Sequence, residues 1–77
     1  MTRASGVIKR SVAIAGHRTS ISLEEPFWAE LQEIARARGR SAQSLIAEID
    51  SGRGAQNLSS AIRVFVLAAV RDRFEPS

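Results

Sequence analysis

The chain has no cysteine, no tyrosine and a single histidine among its 77 residues. Without thiols it has neither a disulfide nor a thiolate–metal staple to brace a small fold. His17 has no Cys, Asp or Glu close to it in sequence, so no metal-ligating set is spelled out. Nucleophilic catalysis needs a Ser or Cys supported by His or a paired acid, and that constellation is missing too. No Gly-rich phosphate loop followed by Lys is present. The sequence therefore predicts a protein that is not an enzyme and takes no cofactor. Apolar runs are short: Val64–Val70 is the longest, about a third of the roughly 20 residues that cross a bilayer. The N-terminus lacks a long apolar region before a cleavage site, so the expectation is a cytoplasmic protein without a membrane partner. Acidic residues are absent before Glu24, where the chain carries Arg3, Lys9, Arg10 and Arg18.

Against these absences, 44% of the residues are hydrophobic. A chain of this length buries only somewhat more than about 60% of its unfolded surface, which makes a monomer marginal. Core material shared between subunits reconciles the two facts, and a homodimer is expected. The formal net charge is +3, and ten of the eleven basic residues are arginine. The N-terminal bases and a second cluster, Arg36, Arg38 and Arg40, form one-sign patches of the kind that attract polyanions.

Residues 1–8 read as a flexible basic arm, and residues 9–77 as one domain. Arg18-Thr19-Ser20-Ile21-Ser22-Leu23 alternates as a strand over about 18–23. Thr19, Ile21 and Leu23 share one face, and Arg18, Ser20 and Ser22 share the other. Lys9 to Ala15 alternates more loosely, and Gly16-His17 interrupts it. Gly16 is either the turn of a weak hairpin or a bulge in an extended arm. With neither Asn-Gly nor Asp-Gly present, the extended arm is favoured. The strand at 18–23 then lacks an intrachain partner, and its mate is expected to be the same strand of a second copy, antiparallel across a two-fold axis.

Three helices follow. Pro26 suits a first turn, and Phe27, Trp28, Leu31, Ile34 and Ala35 recur at helical spacing, giving a helix over about 25–38 that ends at Gly39. Ser41 caps a second helix over about 41–51, with Leu45, Ile46 and Ile49 on its apolar face. Asn57 caps a third over about 58–73, containing Ile62, Phe65 and Val66. The centre of that helix is apolar nearly all round, so enclosure on several sides is expected.

The order strand, helix, Gly39-Arg40-Ser41-Ala42-Gln43-Ser44-Leu45-Ile46, helix resembles the ribbon-helix-helix family of bacterial and phage DNA-binding proteins, the class of the Arc and Met repressors. The stretch from Lys9 to Phe74 is similar to a small proteobacterial subfamily whose third helix typically begins Leu-Ser-Ser-Ala-Ile-Arg, as at Leu58–Arg63 here. The resemblance implies a mainly α fold in which one N-terminal strand pairs antiparallel across a homodimer, followed by helices. It implies a two-stranded ribbon in the DNA major groove. Arg18, Ser20 and Ser22 are then the base-contacting residues. Arg40, Ser41, Ala42 and Gln43, at the start of the second helix, would meet phosphate, as would Lys9 and Arg10 from the arm. Ile21, Leu23, Trp28, Leu31, Leu45, Ile46, Ile49, Ile62 and Phe65 would form the dimer core. Glu24 departs from the family pattern, because a carboxylate beside the ribbon opposes phosphate. The implied function is a transcriptional regulator, a repressor, bound to double-stranded DNA as a dimer, with further assembly on DNA left open. The alternative is an antitoxin-like or adaptor module that docks a protein on the third helix.

Overall fold

The computed structural model describes residues 6–74. Two strands, β1 (Val7–Ile14) and β2 (His17–Glu24), are followed by three helices, α1 (Glu25–Ala37), α2 (Ala42–Gly52) and α3 (Leu58–Phe74). The two strands form an antiparallel hairpin whose register runs from Val7 opposite Glu24 to Ile14 opposite His17. This corrects the expectation of an extended arm and of a strand with no intrachain partner. The segment at 9–14 is a full strand, and it begins at Val7, inside the stretch assigned to the arm. Residues 1–5 of that arm lie outside the described residues.

The turn explains why the hairpin was hard to foresee. Ala15 and Gly16 both have positive φ, 50° and 87°. Two consecutive left-handed residues make the tight turn whose twist matches that of the strands, and Asn-Gly is its usual signature. Here Ala15 occupies the first position, where a side chain without a local hydrogen-bonding group carries the left-handed strain unaided. The geometry is that of the common turn while the sequence signal is absent.

Alternation then decides which side of the hairpin meets the helices. Val12, Ile14, Ile21 and Leu23 are buried against α1–α3, and the residues between them face solvent. The helices start and stop where local chemistry dictates. Gly39, at φ 69°, ends α1, with Arg40 N–H bonded to Ala35 O at 2.9 Å and Gly39 N–H to Arg36 O at 3.0 Å, the paired bonds of a Schellman cap. Ser41 Oγ accepts Ser44 N–H at 3.0 Å and opens α2. Asn57 Oδ1 accepts Ser60 N–H at 3.1 Å and opens α3.

Ile21, Leu23, Leu31, Leu45, Ile46 and Ile62 are each less than 2% exposed within the single chain. Fully burying a side chain of this size contributes about 1.5–3 kcal/mol. The single chain thus already encloses these residues of the anticipated core, and Trp28, Ile49 and Phe65 pack partly buried around them. α3 is less enclosed than its composition suggests. Ile62 and Val66 are buried, whereas Val64 and Leu67 are 57% and 56% exposed.

Candidate nucleic-acid interface

The solvent-facing side of the hairpin is assembled by register. Lys9 stands opposite Ser22, Ser11 opposite Ser20, and Ala13 opposite Arg18. Antiparallel partners point to the same face, so these six side chains form one surface. All are exposed except half-buried Ser22. Its charge comes from Lys9 and Arg18, neither of which has an ion-pair partner among the described residues. Between them lie only small side chains, so a ligand can come close to the strands.

Glu24 closes one end of this face and is neutralised from α3. Arg63 Nε donates to Glu24 Oε1 at 2.9 Å, and Arg63 Nη2 donates to Ser22 O at 3.0 Å. Ser59 Oγ, one turn earlier, accepts Ser22 N–H at 2.9 Å. The Arg63 hydrogen bond, with Glu24's own backbone and the Arg63 charge, holds the Glu24 carboxyl below its ordinary pKa of 4.5. The carboxylate noted as unfavourable beside phosphate is therefore already paired within the protein.

The arginines sort differently from their grouping in sequence. Arg10 faces the helices rather than the Arg18 side. Its Nη2 donates to Glu25 Oε1 at 2.8 Å, and its guanidinium lies 4.4 Å from the Trp28 ring centre. The cluster Arg36, Arg38 and Arg40 is dispersed. Arg36 pairs with Glu33, Arg38 lies 5.2 Å from the Phe65 ring centre, and Arg40 pairs with Glu48. Arg40 Nη2 also donates to Ser44 Oγ at 2.9 Å, so this side chain folds back along α2. The Arg40 hydrogen bond, with the charges of Arg40 and Arg38, lowers the Glu48 pKa below 4.5.

The start of α2 sits beside the sheet, where Ala13 N–H donates to Gln43 Oε1 at 3.3 Å. Ser41 is occupied as the cap and its carbonyl accepts Leu45 N–H at 3.1 Å, which leaves the Ala42 and Gln43 N–H groups at the positive end of the helix. His17 is exposed at the turn end of the hairpin. Among the described residues no group of three or more His, Cys, Asp or Glu is placed to hold a metal ion. No helix among them is long and apolar enough to cross a membrane.

Sequence reasoning brought Arg18, Ser20 and Ser22 to one face but missed Ser11, Ala13, Ser59 and Arg63. The period-two alternation of Lys9–Ile14 was the available signal for the first pair. Ser59 and Arg63 had no local signal, because their partners lie 37 to 41 residues away.

No curated protein and no solved structure matches the chain. A family model described as a ribbon-helix-helix domain matches residues 7–70, a span that includes β1, β2, α1, α2 and most of α3. Members of that family are typically DNA-binding transcription regulators or antitoxins, and they bind DNA as dimers. With a match over most of its length and a two-stranded antiparallel sheet leading into successive helices, the chain belongs to the ribbon-helix-helix family.

Proposed function

We propose that this protein is a dimeric, sequence-specific DNA-binding regulator of transcription, a cytoplasmic repressor that presents its ribbon to the DNA major groove. The observation that carries this reading is the outward hairpin face. Lys9 and Arg18 stand there without ion-pair partners among the described residues, amid Ser11, Ala13, Ser20 and Ser22. A β-ribbon fits the major groove, where each base pair offers a distinct donor and acceptor pattern. The serine hydroxyls donate or accept at base edges, and the two cations meet guanine or the phosphates that wall the groove. Small side chains keep the strands close to the bases. The free N–H groups of Ala42 and Gln43 suit a phosphate oxygen flanking the groove. A dimer presents this face twice and calls for a palindromic site.

Selection of bound duplexes from random DNA tests the reading. Enrichment of a short palindrome at physiological salt is expected. Arg18→Ala should weaken binding to that palindrome by roughly 5- to 150-fold, as for loss of one well-formed base pairing. Equal affinity in ribbon variants and the parent chain would remove the ribbon as the reader.

A protein-docking role is favoured by one observation, the exposure of Val64 and Leu67 on α3 at 57% and 56%. Paired apolar side chains at this exposure are a candidate contact for another protein. If Leu67→Glu leaves DNA affinity intact while abolishing co-purification of a stoichiometric partner, this second reading takes precedence for α3.

A further inference from the structure

The outward face of the hairpin is built by two strands that differ in sequence. β1 contributes Lys9, Ser11 and Ala13, and β2 sets Ser22, Ser20 and Arg18 opposite them. Because both strands belong to one chain, no two-fold axis relates them. The two cations occupy diagonal corners, Lys9 at the end near Glu24 and Arg18 at the turn end. A ribbon made from the same strand of two copies would instead repeat one set of side chains about its centre.

A helix stands against each edge of this hairpin. α2 packs beside β1, where Gln43 Oε1 accepts Ala13 N–H at 3.3 Å. α3 packs beside β2, where Ser59 and Arg63 take the N–H and the C=O of Ser22. Among the described residues the sheet is therefore two strands and no more. Their axes lie about 4.8 Å apart, so the pair with its side chains suits a major groove about 12 Å wide. A sheet of two hairpins would span about 14 Å between its outer axes alone and would not enter.

We infer that one chain fills one major groove, and that the element it reads there is asymmetric, with Lys9 setting specificity at one end and Arg18 at the other. The inference rests on the DNA-binding reading above and deepens it, fixing the stoichiometry and the form of the site. Lys9 and Arg18 stand four residues apart along the ribbon, or about 14 Å at about 3.4 Å per residue. That distance matches about four base-pair steps of duplex at about 3.4 Å each. Arg and Lys are the side chains that pair with guanine O6 and N7, so a guanine contact falls at each end of the element. Ser11 and Ser20 face each other between them and can donate or accept, which leaves the middle loosely read.

A second copy then brings a second complete ribbon rather than half of the first. The chain measures 36 by 36 by 25 Å, close to one turn of duplex at about 34–36 Å. Two neighbouring copies can sit in successive major grooves on one side of the DNA. The palindrome becomes two asymmetric half-sites with centres about 10 bp apart, not one dyad beneath a single ribbon.

Selection from random duplexes with the parent chain, Lys9→Ala and Arg18→Ala tests this. Both side chains are exposed and without ion-pair partners among the described residues, so the variants should keep the fold. Each variant should lose base preference at one end of the half-site and keep it at the other. An isolated half-site duplex should saturate at one chain, and the full site at two. Relaxation at both ends of an element by Arg18→Ala alone, or two chains on one half-site, overturns the inference.

Oxidation of Ser11→Cys/Ser20→Cys reports the ribbon without DNA, since the chain has no native cysteine. Facing positions in an antiparallel pair lie about 4.5–5.5 Å apart Cα to Cα, within disulfide reach. A cross-link inside one chain is expected, and a covalent dimer overturns the inference. If the intrachain link forms but no duplex is enriched, the DNA-binding reading has failed and the inference falls with it.

Discussion

Arg63 reaches across 39 residues of chain to hold Glu24, its Nε 2.9 Å from Oε1, while a second nitrogen of the same guanidinium holds the Ser22 carbonyl. One side chain thus fixes the end of β2 and balances the negative charge of Glu24 at the end of the cationic face. Replacing Arg63 with Met should raise the Glu24 carboxyl toward its ordinary value of 4.5, read as a shifted side-chain NMR titration. It should also weaken duplex binding, because an unpaired carboxylate then stands at the border of that face. Unchanged titration would mean that Arg63 does not pair with Glu24 in solution.

The pH dependence of stability follows from the same pair and from Arg40–Glu48. Both carboxyls have folded pKa values below 4.5, so the unfolded chain binds protons more readily than the folded one. Their contribution is complete above the ordinary carboxylate value and is lost as pH falls through the lower folded values. Thermal melts should therefore carry the full contribution of these pairs at neutral pH, without pH dependence there, and lose it only under acid conditions below about 4.5. In Glu24→Gln that part of the acid loss should shrink. An identical acid profile would assign it to other groups.

Ala15 sits at φ 50° in the hairpin turn, where a left-handed residue without Asn-type local bonding costs about 1–2 kcal/mol. Ala15→Asn should recover part of that strain. For a domain of this size each 1 kcal/mol corresponds to about 4–8 °C in melting temperature, and a rise within a few degrees of that is the expected calorimetric result. A fall would show that the turn is not left-handed at this position.

Ser41→Ala removes the bond to Ser44 N–H and should cost about 1 kcal/mol, while Ser41→Gly should cost only a few tenths. Both leave the backbone amides of α2 in place. If duplex affinity follows stability alone in the two variants, the hydroxyl itself does not meet the phosphate.

Leu45 is fully buried within one chain, and Leu45→Ala should cost about 2–5 kcal/mol in denaturant melts. That is a large part of the total for a small domain, so the variant should be mostly unfolded near 37 °C. A loss well under 1 kcal/mol would place Leu45 outside the core.

The helices were legible because their ends are written in single residues: Gly39 for α1, Ser41 for α2 and Asn57 for α3. The faces of β2 were legible from alternation alone. β1 was harder, because its turn uses Ala15 where the usual marker is Asn, and because Arg10 interrupts the apolar side of the strand by lying over Trp28. The basic cluster at 36–40 was misleading for the opposite reason. Adjacency in sequence says nothing about Glu33, Phe65 and Glu48, which take up those charges separately. The Ser59–Arg63 clasp depends on α3 packing across the sheet end, and no local pattern encodes it.

The two-residue turn at Ala15-Gly16 has a kinetic consequence. A hairpin closed by so short a loop needs no encounter between molecules to form, and hairpins of this kind assemble in about 1–10 μs. The core beneath it is likewise drawn from one chain. Folding of the single chain is then first order in protein, because hairpin and core are both complete within one copy. The cationic face is assembled in the same step and needs no second copy to form.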